Sequence, residues 1–338
     1  MKFLLLTTGG TIASVASEHG FIAALPGEKL LEACPHLADF QHDIEIKNIF
    51  SKDSSNMNPL DWLEMAQCVR ENASGKDGVV LLHGTDTLAW TSSALSFLLN
   101  DVSIPVVISG SMLTPEAPDS DVPENIYTAF QFALQLAQCQ RKGVSVAFAG
   151  HLIHGPKATK IDSHRKNAFV SVDYPLLGRM QDDEGRMVAW LDAHVPALSE
   201  KRFWTTTPEL ETDIALVPVF PGMKVSWLDA IINVSPKAIV LEGYGLGGIP
   251  YMHENLLEPI ARGIEKGIPF VLRTQAPFGG TDPTIYEVGQ RALDLGVFSA
   301  RDMTREALMV KLMLLLPLRK GKELEVQLNT NLCDEVLR

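Results

Sequence analysis

Two loops of the sequence combine glycines with hydroxyl groups. The first, residues 7–13 (TTGGTIA), directly follows the apolar run at residues 3–6. Adjacent glycines allow a tight turn that brings the backbone close to a ligand, and they leave N–H groups that can stabilise an oxyanion. Thr11 would present a hydroxyl group at such a site. From this loop alone, a hydroxyl-rich turn without a chemical role is an equally good interpretation.

The second loop, residues 83–87 (HGTDT), lies between the apolar run at residues 79–82 and a predicted helix. A helix N-terminus favours a bound anion, because its first N–H groups lack partners. Helix capping by Asp86 or Thr87 would explain one of these side chains. It does not explain a second hydroxyl, that of Thr85, and a histidine at the same strand end. The loop therefore indicates a functional site.

Two further segments carry polar groups but are less specific. Residues 52–57 (KDSSNM) hold Asp53 and Ser54 just before a predicted helix start, and taken alone they are better explained as an ordinary polar turn. Lys160 lies in residues 157–160 (KATK). Most surface lysines have no specific role, but a lysine held against a buried hydroxyl can promote the loss of its proton.

Signals for other kinds of site are weak. His151 and His154 are spaced like no zinc signature. The TTGGTIA loop lacks the glycine register and the lysine of a phosphate loop, and no G-x-S-x-G serine elbow occurs. We expect neither a metal nor a cofactor.

The elements that must position these loops alternate in type. Short apolar runs typical of buried strands occur at residues 3–6, 79–82, 104–108, 144–149, 214–220, 238–242 and 269–273. Helix-period segments are predicted from Asn58-Pro59, from near Thr87, and at residues 124–137, 227–233, 255–266 and 304–316. Strand–helix alternation predicts an α/β fold of two doubly wound domains with mainly parallel sheets.

Length and composition agree with two globular domains. At a typical 150 residues per domain, 338 residues suggest about two. Residues 193–212 are polar, contain prolines and lack periodicity, so we predict a linker there. The predicted domains are a larger N-terminal catalytic domain at residues 1–192 and a smaller C-terminal domain at residues 213–338.

Charge and cysteine content narrow the possible partners and compartment. A net charge of −12 disfavours binding to nucleic acid or to an anionic membrane surface. The four cysteines, Cys34, Cys68, Cys139 and Cys333, are widely spaced, which favours a reducing compartment over a disulfide framework. The apolar run at the N-terminus is too short for a signal peptide or a membrane span. We predict a cytoplasmic protein.

The two glycine-containing loops carry a family resemblance. Residues 5–13 (LLTTGGTIA) resemble the first signature of bacterial-type L-asparaginases and glutaminases, and residues 78–88 (GVVLLHGTDTL) resemble the second. The segments DSSNM at 53–57, TK at 159–160 and EGYG at 242–245 are also similar to the family, most of all to its cytoplasmic type I branch. The resemblance covers nearly the whole chain.

The resemblance implies roles for individual residues. Thr11 resembles the nucleophile that forms an acyl-enzyme. Thr85 resembles a proton relay, and Lys160 the group that favours the loss of its proton. Asp86 resembles the carboxylate that stabilises the lysine and binds the substrate α-amino group. The implied substrate-binding residues are the signature glycines Gly10 and Gly84, and Asp53 and Ser54. The last two lie in residues 53–57, which resemble the family's loop for the substrate α-carboxylate (the carboxylate loop).

Two positions depart from the family pattern. Phe21 stands where many members carry a tyrosine that helps to activate the nucleophile, and Gly248 stands where some relatives carry an asparagine that reaches a neighbouring subunit's site. The family implies a homodimer or homotetramer with sites near the subunit contact.

Three hypotheses remain open from the sequence. The leading one is hydrolysis of L-asparagine to L-aspartate and ammonia. The second is the same chemistry on glutamine or another small amide, since one methylene group gives only about 1–3 kcal/mol of discrimination. The third is a catalytically weak sensor that binds asparagine or aspartate, and Phe21 is its only support.

Overall fold

A computed structural model describes residues 1–17, 20–23, 25, 27–32, 34–37, 40, 42–183, 186–192 and 208–337. The chain forms two compact units, Met1–Thr207 (unit 1) and Pro208–Arg338 (unit 2). Most of the predicted linker, residues 193–207, lies outside the described residues, so the linker and its boundaries stay a prediction. Within the described part of the chain, no helix has the length and apolar character to cross a bilayer.

Unit 1 is built around one mixed sheet with helices. The strands of unit 1 are β1 (Lys2–Gly9), β2 (Ser14–Ser17), β3 (Gly20–Ala23), β4 (Asp43–Lys52), β5 (Gly78–Leu82), β6 (Pro105–Ser109), β7 (Gly143–Phe148), β8 (His151–His154), β9 (Ala158–Lys160), β10 (Phe169–Ser171), β11 (Gly178–Asp183) and β12 (Arg186–Leu191). Of these, β2 pairs with β3 and β9 with β10 in separate two-stranded sheets. Its helices are α1 (Gly27–Glu32), α2 (Pro59–Asn72), α3 (Leu88–Leu98) and α4 (Val122–Gln138).

The order of strands in the main sheet is β12-β11-β8-β7-β6-β5-β1-β4. The neighbouring strands β4, β1, β5, β6 and β7 pair in parallel. Beyond β7, each of the strands β8, β11 and β12 pairs antiparallel with the strand before it in this order. The chain runs from β1 to β4 on one side and then crosses to β5 on the other. Ligands of open α/β sheets bind beyond the strand ends at such a reversal, so this edge is where a site is expected.

Burial explains why these segments form a sheet. Every residue of β5 is buried, as expected for a parallel strand covered on both faces. Phe3 of β1 packs edge-on against Phe130 of α4, with ring centroids 6.2 Å apart. The first turn of α2 is fixed by a capping box, in which Asn58 accepts from the Leu60 N–H and Asp61 accepts from the Asn58 N–H.

Unit 2 has a smaller, fully parallel sheet. Its strands, in spatial and chain order, are β13 (Ile214–Pro218), β14 (Ala238–Gly243), β15 (Phe270–Thr274) and β16 (Phe298–Ser299). Its helices are α5 (Val225–Val234), α6 (Leu257–Glu265), α7 (Glu287–Asp294), α8 (Arg305–Leu315) and α9 (Gly321–Leu328). The predicted fold class, α/β with mainly parallel sheets and a larger N-terminal part, is confirmed.

Candidate active site

Three loops meet at the carboxyl edge of neighbouring strands β4, β1 and β5. A Cβ added to Gly10 would lie 2.2 Å from the Gly84 Cα, and one added to Gly84 would lie 2.7 Å from the Ser54 Cβ. Gly10 also has a φ of 83°, in the region that favours glycine. Only glycine therefore allows these backbones to touch, and the contact brings Thr11 and Thr85, the residues that follow each glycine, onto adjoining loops.

Ser54 connects the carboxylate loop to the second signature. Its hydroxyl oxygen accepts a hydrogen bond from the Asp86 N–H at 3.2 Å, and its carbonyl oxygen accepts one from the Thr87 hydroxyl at 2.8 Å. No described residue accepts the Ser54 hydroxyl proton, so the hydroxyl can donate to a ligand. Asp53 is exposed and accepts from the Ser55 N–H at 2.8 Å, which fixes the turn that presents Ser54.

Lys160 reaches the second loop from the β9–β10 hairpin. Its ammonium donates to the Thr85 hydroxyl at 2.9 Å and to an Asp86 carboxylate oxygen at 2.7 Å. The Thr85 side chain is buried, whereas 59% of the Asp86 side chain is exposed. The positive charge of Lys160 stabilises negative charge on the Thr85 oxygen, and Asp86 keeps a carboxylate oriented toward solvent at the mouth of the loop.

Thr11 begins the short 3-10 turn Thr11–Ala13, in which Ile12 and Ala13 are buried. This turn is closed by a hydrogen bond from the Ala13 N–H to the Gly10 carbonyl at 3.0 Å. The Thr11 side chain is partly exposed, and no described side chain hydrogen-bonds its hydroxyl. The first loop therefore leaves one hydroxyl open, next to a pair of touching glycines.

His83 has a structural setting that the sequence did not reveal. It is fully buried, and its Nδ1 lies 2.7 Å from the Gly84 carbonyl oxygen. Its Nε2 lies 3.0 Å from the Thr91 hydroxyl, which accepts from the Trp62 indole N–H at 3.1 Å. Burial lowers the pKa of His83 to about 4. The position of His83 at a strand end could be predicted from the sequence, but its connection through Thr91 of α3 to Trp62 of α2 could not.

The two departures from the family pattern receive different answers. Phe21 lies in β3, paired with Ala16 of β2, and its side chain lies outside what the structure describes. Gly248 bridges to Tyr244 in a tight turn of unit 2. A Cβ at Gly248 would lie 3.1 Å from a methyl group of Val288, so a larger residue there would require Val288 to move.

Comparison with known families covers both units. Residues 2–192 match the family profile "Asparaginase, N-terminal", and residues 213–327 match the profile "Glutaminase/Asparaginase C-terminal domain". The chain belongs to the asparaginase family. The resemblance predicted from the two signature loops is confirmed, and so is the expectation of an amidohydrolase.

Individual asparaginase-family proteins align over almost the whole chain. An L-asparaginase of Thermococcus kodakarensis is 42% identical over 93% of this chain and 92% of its own length. The solved structure of the thermostable L-asparaginase from Thermococcus kodakarensis has a TM-score of 0.88 and 38% identity, and the match covers 100% of both chains. L-asparaginase I of Vibrio cholerae has a TM-score of 0.83 and 26% identity, covering 100% of this chain and 99% of its own. A glutamyl-tRNA(Gln) amidotransferase subunit of Pyrococcus furiosus is 33% identical over 98% of this chain and 76% of its own length.

Proposed function

We propose that this protein hydrolyses the side-chain amide of L-asparagine to L-aspartate and ammonia through an acyl-enzyme on Thr11. The observation that carries the proposal is that the ammonium of Lys160 donates hydrogen bonds to both the Thr85 hydroxyl and the Asp86 carboxylate. An activated hydroxyl beside an open hydroxyl suits acyl transfer in two steps. Similarity to proteins named L-asparaginase supports asparagine as the substrate.

In the first step, the Thr11 oxygen attacks the carbonyl carbon of the substrate side chain. The C–N bond then breaks, and the hydroxyl proton ends on the departing nitrogen, which leaves as ammonia. An oxyanion forms transiently and needs N–H donors aimed at it. The N–H of Thr85 suits that role, because it has no hydrogen-bond acceptor among the described residues.

In the second step, water attacks the ester on Thr11. Thr85 relays the proton of that water to the Thr11 oxygen as the ester C–O bond breaks. Lys160 promotes this relay by stabilising negative charge on the Thr85 oxygen, and Asp86 stabilises the ammonium group of Lys160. Aspartate then leaves, after the ammonia that was released in the first step.

Local groups bind the charged ends of the substrate. Ser54 donates its hydroxyl proton to the α-carboxylate, and Asp86 binds the α-ammonium group. Gly10 and Gly84 bring the backbone close to the substrate, and Asp53 shapes the loop around Ser54. Because the chain carries a net charge of −12, long-range electrostatics do not attract the carboxylate.

The proposal includes a homodimer or homotetramer in the cytoplasm, acting on a small molecule without nucleic acid or membrane. The four cysteines, all free in the structure, suit a reducing compartment. A structural neighbour from Campylobacter jejuni, 26% identical with a TM-score of 0.79, is named a probable cytoplasmic L-asparaginase. Size-exclusion chromatography with light scattering tests the oligomer, and a monomer with full activity would contradict it.

Glutamine is the second candidate substrate. The similarity to an amidotransferase component and the glutaminase name of the C-terminal profile favour it. The third hypothesis, a weak sensor, rests on Phe21 alone and is opposed by the contacts of Lys160.

Ammonia release by the purified protein separates these functions. We expect faster release from asparagine than from glutamine, and none from buffer. Faster release from glutamine would favour the second candidate. If neither amide yields ammonia while isothermal titration detects tight binding of asparagine or aspartate, the protein is a sensor and the enzymatic proposal is wrong.

A further inference from the structure

A line of buried hydrogen bonds lies behind the second signature loop. It runs from Trp62 of α2 to Thr91 of α3, then to His83, and ends at the Gly84 carbonyl oxygen, with distances of 3.1, 3.0 and 2.7 Å. All three side chains are at least 95% buried. The proposed mechanism gives none of them a role, although the line ends on the loop that holds Thr85.

The chemistry of the two ends fixes the direction of every hydrogen bond. The indole of Trp62 can only donate, and the carbonyl oxygen of Gly84 can only accept. His83 therefore donates from Nδ1 to Gly84, which leaves Nε2 as an acceptor for the Thr91 hydroxyl proton. One neutral tautomer of His83 satisfies the whole line.

The hydrogen bond from His83 orients a peptide group of the active-site loop. In a trans peptide, the carbonyl oxygen of Gly84 and the N–H of Thr85 point in opposite directions. Holding the carbonyl toward the buried ring therefore directs the Thr85 N–H away from it. That N–H has no acceptor among the described residues. Of the described side chains, His83 is therefore the one whose hydrogen bond orients this peptide group.

We infer that His83 is a positioning residue that aims the Thr85 N–H at the oxyanion formed during amide hydrolysis. The inference rests on the proposed function. His83 does not act as a base in it, because both ring nitrogens are occupied and the ring is buried. Its contribution is expected mainly in the transition state, where negative charge on the substrate oxygen is greatest.

Two substitutions at His83 separate donor position from general packing. In His83→Asn, the side-chain amide nitrogen falls near the place of Nδ1 and can still donate to Gly84. In His83→Gln, the amide nitrogen falls near the place of Nε2 and cannot donate to Gly84. We expect His83→Gln to lower kcat about tenfold with KM within about twofold, which is part of the 10²–10³ loss seen when an oxyanion donor is removed. His83→Asn should stay within about threefold of the wild type.

A second pair of variants tests the same line from its other end. Thr91→Val removes the hydroxyl that fixes the tautomer, and we expect about a threefold fall in kcat. Ser96→Ala is the matched control, because among the described residues this buried hydroxyl on the same helix hydrogen-bonds only to the Ser92 carbonyl. Melting temperatures of all four variants are measured alongside kcat and KM.

The outcomes decide between distinct failures. Each of three results would overturn the inference. They are a wild-type kcat in His83→Gln, equal losses of kcat in His83→Gln and His83→Asn, and a loss in Thr91→Val no greater than in Ser96→Ala. If the wild type releases no ammonia from any amide, the proposed function fails and this inference fails with it. An active wild type with the predicted order of variants supports both.

Discussion

Both units place charged or polar side chains at the carboxyl edge of parallel strands, but they use them differently. In unit 2, the nearly buried Glu242 on β14 accepts hydrogen bonds from Arg273 on β15 and from Arg305 at the start of α8. The Arg305 contacts are bidentate, at 2.8 and 3.0 Å. In unit 1, the Thr11 hydroxyl and the Thr85 N–H have no such partners among the described residues.

This difference teaches what turns a sheet edge into a site. Loops at both edges are held by hydrogen bonds, but the edge of unit 2 satisfies Glu242 internally. The edge of unit 1 holds Thr85 and Lys160 in place and leaves donors for a substrate. Open polar groups on a fixed frame are what preorganised catalysis requires, so substitutions should affect activity in unit 1 and stability in unit 2.

The largest expected effect is that of Thr11→Ala, which removes the proposed nucleophile. We expect ammonia release to fall by at least about a thousandfold, because loss of a nucleophile removes the covalent route. The fold should persist, since no described residue forms a hydrogen bond with the Thr11 hydroxyl. Thr330→Ala, at an exposed threonine of unit 2, should match the wild type. Substantial activity in Thr11→Ala would refute the assignment.

Lys160→Met comes next, since it keeps the length of the side chain and removes its charge. Thr85 and Asp86 would both lose their hydrogen bond to Lys160, and we expect kcat to fall by about 10²–10³, as for loss of a proton relay. Lys166→Met, at an exposed lysine of the same hairpin, serves as the control. Equal activities of the two variants would show that the Lys160 contact has no catalytic role.

Glu242→Gln tests the sheet edge of unit 2, where Glu242 is satisfied by partners within the protein. It leaves Arg273 buried without its carboxylate, and breaking a buried ion pair costs about 3 kcal/mol of unfolding free energy. Glu287→Gln, in an exposed pair with Arg291, should cost no more than about 0.5 kcal/mol. Chemical denaturation measures both. The contrast between the units would be weakened if the two variants lost the same stability.

The smallest expected effect is a pH dependence from His83. Its pKa is lowered by burial from 6.5 to about 4, despite the opposing effects of Gly84 and Asp61. The unfolded chain therefore binds a proton first as the pH falls, and stability decreases. From pH 7 to pH 5, the wild type should lose about 2 kcal/mol more than His83→Asn. Parallel pH curves for the two proteins would contradict the buried, neutral histidine.

The sequence predicted the parallel strands well, because buried strands read as continuous apolar runs. The runs at residues 79–82 and 238–242 correspond to β5 and β14. Strand β4 was missed, since it lies at the sheet edge and alternates apolar with charged residues. The polar β11, mostly exposed, was missed for a similar reason.

The site was predicted in part by the loops and in part by resemblance. Strand order explains why the loops around Gly10 and Gly84 meet, because the carboxyl ends of parallel strands share one edge. The contact of Lys160 with Thr85, 75 residues away, came from the family resemblance alone. Spacing could not predict it, since an antiparallel hairpin outside the main sheet carries the lysine.

Identifying the acylated residue tests the central claim most directly. The wild type is mixed with asparagine, quenched rapidly in acid, digested, and mapped by tandem mass spectrometry. We predict an aspartyl group in ester linkage on Thr11, accumulating further in Lys160→Met because that variant is impaired in ester hydrolysis. An aspartyl group on Thr85 instead, or full turnover of asparagine in the Thr11→Ala variant, would contradict the account.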